Sequence, residues 1–245
     1  MTRPAWLTMI DAKPVRFPAR CPRVSTAALY FEASSEPLHR WVPPDLELIE
    51  DAPGRTEAVV ALASYVGGDW GTYDTLDVVL RARPAGCTDP AWTGLFFLDT
   101  VVNERFTTEL SYWVLGIGHR FGTIDVSVDD ERVAFDVGED DRHLLSVSLP
   151  PAPTSVPPEP RSARVYAHVG GILHAIPIEI DMPDRSTDVA DVDVRLGDGR
   201  LRQVLADIGL PRRPDSYAWS EHLTCTVHEP MRVLHPSSAG AASRS

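Results

Sequence analysis

The sequence predicts a mostly β (α+β) fold, a single domain of antiparallel strands with a few short helices. Three observations predict it. Stretches in which β-branched and aromatic residues alternate with polar ones recur along the 245 residues. Clusters of turn-forming residues separate many of them. Only three segments carry helical spacing.

The expected strands are 56–66, 75–85, 92–102, 121–128, 132–137, 143–149, 164–169, 172–180, 189–196 and 222–228. Asp129-Asp130-Glu131 and the segment 138–141 read as turns, so the strands around them form an antiparallel meander. The expected helices are 35–41, 104–115 and 201–208; the last is stopped by Gly209-Leu210-Pro211. In the second, Phe106, Leu110, Trp113 and Val114 share one face. The connection 150–161 holds six prolines and reads as an extended surface strap inside one domain. The chain divides into an N-terminal arm (1–22), one domain (23–235) and a disordered Ser/Ala-rich tail (236–245).

A hydrophobic content of 43% supports a folded core, and the net charge is −12 with a pI near 5.0. A polyanion repels phosphate backbones and anionic lipid surfaces, which excludes nucleic acid and membranes as partners. No apolar run is long enough to span a bilayer. Arg3, Asp11, Lys13 and Arg16 interrupt the first residues, so no secretory leader is expected and the expected location is cytoplasmic. Cys21, Cys87 and Cys225 stand far apart and read as reduced thiols. Of 23 basic residues one is lysine, Lys13, so 22 are arginine. Chemistry that needs an amine nucleophile has only Lys13 or the α-amino group to use.

Five motifs occur in an order that carries a resemblance. Leu38-His39-Arg40-Trp41-Val42-Pro43-Pro44-Asp45-Leu46-Glu47-Leu48 is followed by Gly67-Gly68-Asp69-Trp70-Gly71-Thr72-Tyr73. Leu95-Phe96-Phe97-Leu98-Asp99 then precedes helix 104–115 and Gly116-Ile117-Gly118-His119-Arg120-Phe121-Gly122, and the segment 196–211 follows late in the chain. The sequence thereby resembles the acetoacetate decarboxylase superfamily. The resemblance implies an antiparallel β cone or barrel around a central cavity, a small-molecule substrate, no cofactor and a homo-oligomer.

In that family a lysine pair follows the helix, and one of the two forms a Schiff base with a β-keto acid. Here the pair aligns with His119 and Arg120; a register shifted to Val114-Leu115-Gly116 supplies no lysine either. Imidazole forms no stable imine, and guanidinium is not a nucleophile. His119 is the expected acid/base group and Arg120 the expected anchor for a carboxylate or enolate. The family's Tyr-x-Glu-Leu aligns with Tyr73-Asp74-Thr75-Leu76, which puts Thr75 in the carboxylate's place, and Asp74 could substitute only through a bulge. Arg23 aligns with the family's cavity arginine. Tyr112 and Trp113 divide between core and substrate wall. His168 and His174 flank Gly170-Gly171 on adjacent strands and are expected to face each other across a hairpin, but they lack a third ligand, so no metal site is expected.

The expected function is a lysine-independent enzyme acting on a small keto acid or polyketide-like substrate, of lyase, cyclase or dehydratase type. The alternative is a non-catalytic small-molecule-binding member of the same fold.

Overall fold

The structure is a computed structural model and describes residues 8–10, 13–151 and 159–233. Its strands are β1 (Thr8–Ile10), β2 (Lys13–Val15), β3 (Ala19–Ser34), β4 (Leu46–Leu48), β5 (Arg55–Gly68), β6 (Gly71–Pro84), β7 (Gly94–Val102), β8 (His119–Phe121), β9 (Thr123–Val128), β10 (Val133–Glu139), β11 (Arg142–Leu149), β12 (Glu159–Val169), β13 (Ile172–Met182), β14 (Asp193–Leu196), β15 (Ser216–Val227) and β16 (Met231–Arg232). Its α-helices are α1 (Arg105–Leu110) and α2 (Arg202–Ile208).

Seven strands close a barrel. β3 pairs β5, β5 pairs β6 and β6 pairs β7; β7 pairs β12, β12 pairs β13, β13 pairs β15, and β15 returns to β3. Closure leaves the barrel strands no free edge among themselves. All of these pairings are antiparallel except β7 with β12, which is parallel, as is the added β7–β8 pairing. A second sheet, in the order β14-β11-β10-β9, contains the meander expected from the two turns.

The two faces of the barrel wall are apolar for different reasons. Leu29, Phe31, Val60, Leu62, Leu76, Val78, Leu80 and Val101 point outward and pack with Phe135, Leu145 and Val147 of the second sheet and Leu205 of α2. Ala19, Tyr73, Val102, Val165, Ala167 and Ile176 point inward and pack with Ile10, Val15, Phe106 and Leu110 at one end. β6 is therefore buried on both sides, which accounts for its nearly unbroken apolar run. Full burial of each such side chain contributes about 1.5–3 kcal/mol.

Several expectations are corrected. The longest strand, β3, has no counterpart among the expected ones, and the arm–domain boundary at 22/23 falls inside it. Helix 104–115 divides into α1 and a wider π turn over Ser111–Leu115, which Gly116 ends in the left-handed region at φ 69°. The segment 35–41 is a 3₁₀ turn, Glu36–Trp41. His168 and His174 lie on opposite faces, because His168 pairs with Leu173 and Ala167 with His174. Most of the proline strap and the tail from 236 lie outside the described residues.

Candidate functional site inside the barrel

Alternation along β6 turns Tyr73, Thr75 and Asp77 to the barrel interior. Asp77 pairs with Thr100 of β7, and Thr100 pairs with His119 of β8. Three neighbouring strands thus bring Asp77, Thr100 and His119 to one face. Thr75 Oγ1 donates a 2.8 Å hydrogen bond to Asp77 Oδ2, and the pair is buried. Tyr65 of β5 pairs with Tyr73, and their rings stack with centroids 4.6 Å apart.

The interior is electrostatically unusual. Asp77 is 7% exposed, and burial raises its pKa from about 3.8 to about 6, while the neighbouring Thr75 and Thr100 hydroxyls pull it down in part. Burial drives the imidazole of His119 the other way, from 6.5 to about 3, with the Thr107 backbone opposing in part. Near neutral pH the histidine is therefore uncharged. Its Nδ1 is buried without a hydrogen-bond partner. The Thr100 hydroxyl sits beside the Asp77 carboxyl but outside hydrogen-bonding geometry, so it too is buried and unpaired. Burial also raises the Tyr65 and Tyr73 hydroxyls well above their ordinary value. A carboxyl that titrates near neutrality, beside polar atoms with open hydrogen-bonding capacity, makes this face the candidate functional site.

Chain geometry places His119. The π turn ends at Gly116, where an added Cβ would lie 2.4 Å from the His168 carbonyl oxygen. Only glycine admits that approach with positive φ. Ile117 then donates to the Ser111 carbonyl at 3.0 Å and His119 to the Ile117 carbonyl at 2.9 Å, which starts β8 beside β7.

Arg120, one residue on, points out through the wall. Its Nε and Nη2 donate to Asp99 Oδ1 at 3.0 and 2.7 Å, and its Nη1 donates to Glu139 of β10. The three side chains are 13%, 13% and 18% exposed, so this is a largely buried ion cluster tying β8 to β7 and to the second sheet. It has no part in the interior.

The other expected site residues divide in the same way. Tyr73 and Thr75 are inside. Asp74 faces outward, where Ser64 Oγ and Asn103 Nδ2 donate to it, the latter at 2.7 Å; the β5–β6 register is regular here, so no bulge re-aims it. Arg23 is exposed on β3. Tyr112 and Trp113 are 59% and 68% exposed, packed edge to face on the surface of the π turn. Lys13 is exposed on β2, its ammonium 4.8 Å from the centre of the Phe106 ring. A surface cleft of about 540 Å³ opens where the second sheet meets the end of β8, lined by Phe121, Asp125, Asp136, Asp141 and His143. Among the described residues no three side chains are grouped to hold a metal, and no helix is long and apolar enough to cross a membrane.

Sequence reasoning missed Asp77 and Thr100. The signal was present for Asp77: an acidic residue within Leu76–Leu80 (LDVVL) is a charge in a strand otherwise apolar on both faces.

A closed, mostly antiparallel seven-strand barrel with a few titratable groups in an otherwise apolar interior defines the class of fold. The chain belongs to the acetoacetate decarboxylase family, whose sequence profile, described as Acetoacetate decarboxylase (ADC), matches residues 9–226. No curated protein matches the sequence. Among solved structures, the chain is similar to acetoacetate decarboxylase from Legionella pneumophila, at 12% identity and a TM-score of 0.64, covering 96% of this chain and 92% of that one. It is also similar to the enduracididine biosynthesis enzyme MppR complexed with pyruvate, at 15% identity and a TM-score of 0.63, covering 91% and 92%. An acetoacetate decarboxylase-like enzyme from Sphingomonas wittichii RW1 matches at 12% identity and a TM-score of 0.59, covering 90% and 94%.

Proposed function

We propose that the chain is an enzyme that enolises a small keto acid or polyketide-like carbonyl compound by acid/base chemistry in the barrel, without a covalent amine. The observation that carries this is Asp77: a buried carboxyl titrating at about 6, the value a general base needs near neutral pH. Thr75 holds one carboxyl oxygen and so fixes the orientation of the group. The pyruvate complex of MppR, a barrel of the same fold, supports a small keto acid as the class of substrate. The place of MppR in a biosynthetic route supports a biosynthetic role here.

In this mechanism ionised Asp77 takes a proton from the carbon next to the substrate carbonyl. The electron pair of the broken C–H bond moves onto the carbonyl oxygen. Thr100 Oγ1 and His119, in its neutral Nδ1–H tautomer, donate to that oxygen, and His119 stays neutral throughout. Return of the proton from Asp77 to the oxygen completes enolisation; in a cyclisation the enolate carbon attacks a second carbonyl of the same molecule, whose oxygen takes the proton, and in an elimination the enolate expels a β-leaving group, which takes it. Motif position alone assigns the proton transfer to His119; with its pKa near 3 that role passes to Asp77, and His119 keeps the electrophilic one. Arg120 is a positioning residue, holding β8 and with it His119. A homo-oligomer fits the apolar surface of Tyr112 and Trp113.

The test of the lysine-independent part is reductive trapping. Incubation with acetoacetate and borohydride, followed by intact mass measurement, is expected to give unmodified protein. A stoichiometric adduct on Lys13 would overturn it. A non-catalytic binding protein would instead bind the keto acid and leave its α-protons unexchanged.

A further inference from the structure

Cys21 of β3 and Cys225 of β15 are direct partners in the cross-strand register where these two strands close the barrel. Facing residues of antiparallel strands have Cα atoms about 4.5–5.5 Å apart. That lies within the window of about 4.4–6.8 Å that a disulfide requires. The two side chains share a small buried cluster with Val24, Ala63 and Leu223, and each thiol shifts the ionisation of the other. They are 2% and 7% exposed. The ladder between Leu223 and Cys225 is irregular, which leaves the backbone there less tightly constrained. Cys87 follows β6, outside this cluster.

We propose that Cys21 and Cys225 are a redox-active dithiol, which a small hydroperoxide converts into an intramolecular disulfide stapling β3 to β15. Burial excludes bulky disulfide reagents and admits a small oxidant. Cys21 is the attacking group. The neighbouring Cys225 thiol, against the opposing effect of burial and with help from the Tyr73 hydroxyl, draws its pKa below the ordinary thiol value, while the proximity of Cys21 and burial push Cys225 up. The Cys21 thiolate attacks one peroxide oxygen, the O–O bond breaks, and the second oxygen leaves as hydroxide, giving a sulfenic acid. The Cys225 sulfur then attacks the Cys21 sulfur; the S–O bond breaks and water leaves with the Cys225 proton. Overall, two thiols and one hydrogen peroxide give one disulfide and two waters. The disulfide takes away the Cys21 thiol beside Tyr73, so oxidation reaches the tyrosine pair at the edge of the Asp77 site.

The experiment treats the reduced full-length protein with hydrogen peroxide and follows intact mass and a peptide map. The expected result is a loss of about 2 Da, a peptide linking Cys21 to Cys225, an alkylatable Cys87, and reversal by dithiothreitol. The oxidised protein should melt about 5 °C or more above the reduced one, because the link closes a very long loop. Cys225→Ser should give no loss of mass and a dimedone-trappable sulfenic acid at Cys21. A disulfide involving Cys87, or oxygen addition with Cys21 and Cys225 never linked in the wild type, would overturn the proposal.

Discussion

Replacing Asp77 by asparagine should stabilise the protein more the higher the pH. The carboxyl is buried, and its pKa is about 6 in the fold against about 3.8 ordinarily. The difference of roughly 2 units corresponds to about 3 kcal/mol. The sign follows from linkage. A carboxyl raised by folding holds its proton in the native state while the unfolded chain has lost it. Its favourable contribution is therefore present at low pH and is lost as pH rises from about 3.8 through about 6. At pH 8 the buried carboxylate costs the fold the full amount. The asparagine amide does not titrate, and its oxygen can still accept the Thr75 hydrogen bond. The stability difference between Asp77→Asn and wild type should therefore favour the variant by about 2–3 kcal/mol more at about pH 8 than at about pH 4. Wild type alone would hide this, because His119 runs the opposite way. Its pKa is lowered by folding, so its contribution is lost as pH falls from 6.5 through about 3. Urea unfolding of both proteins across this range is the assay. A difference that stays constant with pH would show that Asp77 is not a buried, destabilised carboxylate.

Two further predictions concern the frame around the site. Arg120→Ala leaves Asp99 and Glu139 facing each other, largely buried and uncompensated, and should lower unfolding free energy by about 3–5 kcal/mol in urea titrations. Arg120→Lys, which cannot reproduce the forked contact, should recover only part of it. Gly116→Ala forces a Cβ against the His168 carbonyl at positive φ. It should cost about 1–3 kcal/mol and shift the His119 ring resonances in NMR spectra, since that turn sets the start of β8.

The strands were legible where one face meets solvent or a thin layer. β9, β10 and β11 alternate cleanly, and Asp129-Asp130-Glu131 marks their first turn. β3 was not, because Ala27-Ala28-Leu29-Tyr30-Phe31 is buried on both faces and shows no period of two, and Pro22 reads as a break. The π turn looks like plain helix in the sequence because one extra residue per turn leaves the spacing of Phe106 and Leu110 unchanged. For the site, motif order pointed to His119 and Tyr73, and alternation set His119 and Arg120 on opposite sides of their strand. It could not say which of them faced inward. Asp77 was passed over because the search for the carboxylate stopped at the motif position, although Asp77 shares a face with Thr75 two residues away. Depth decided the matter: Asp77 lies on the face of β6 turned to the barrel interior, opposite the face that the second sheet covers.

If Asp77 acts as the general base proposed above, the barrel should catalyse proton exchange next to a carbonyl. Hydrogen–deuterium exchange at the methyl carbon of pyruvate and at the methylene between the carbonyls of a 1,3-diketone, followed by NMR in D₂O as a function of pH, tests this. Wild type should accelerate exchange, with a rate that rises through an apparent pKa of about 6 as Asp77 ionises, and Asp77→Asn should lose about 10²–10⁴ of that rate. Exchange in wild type no faster than in buffer, or an Asp77→Asn variant with the wild-type rate, would contradict it.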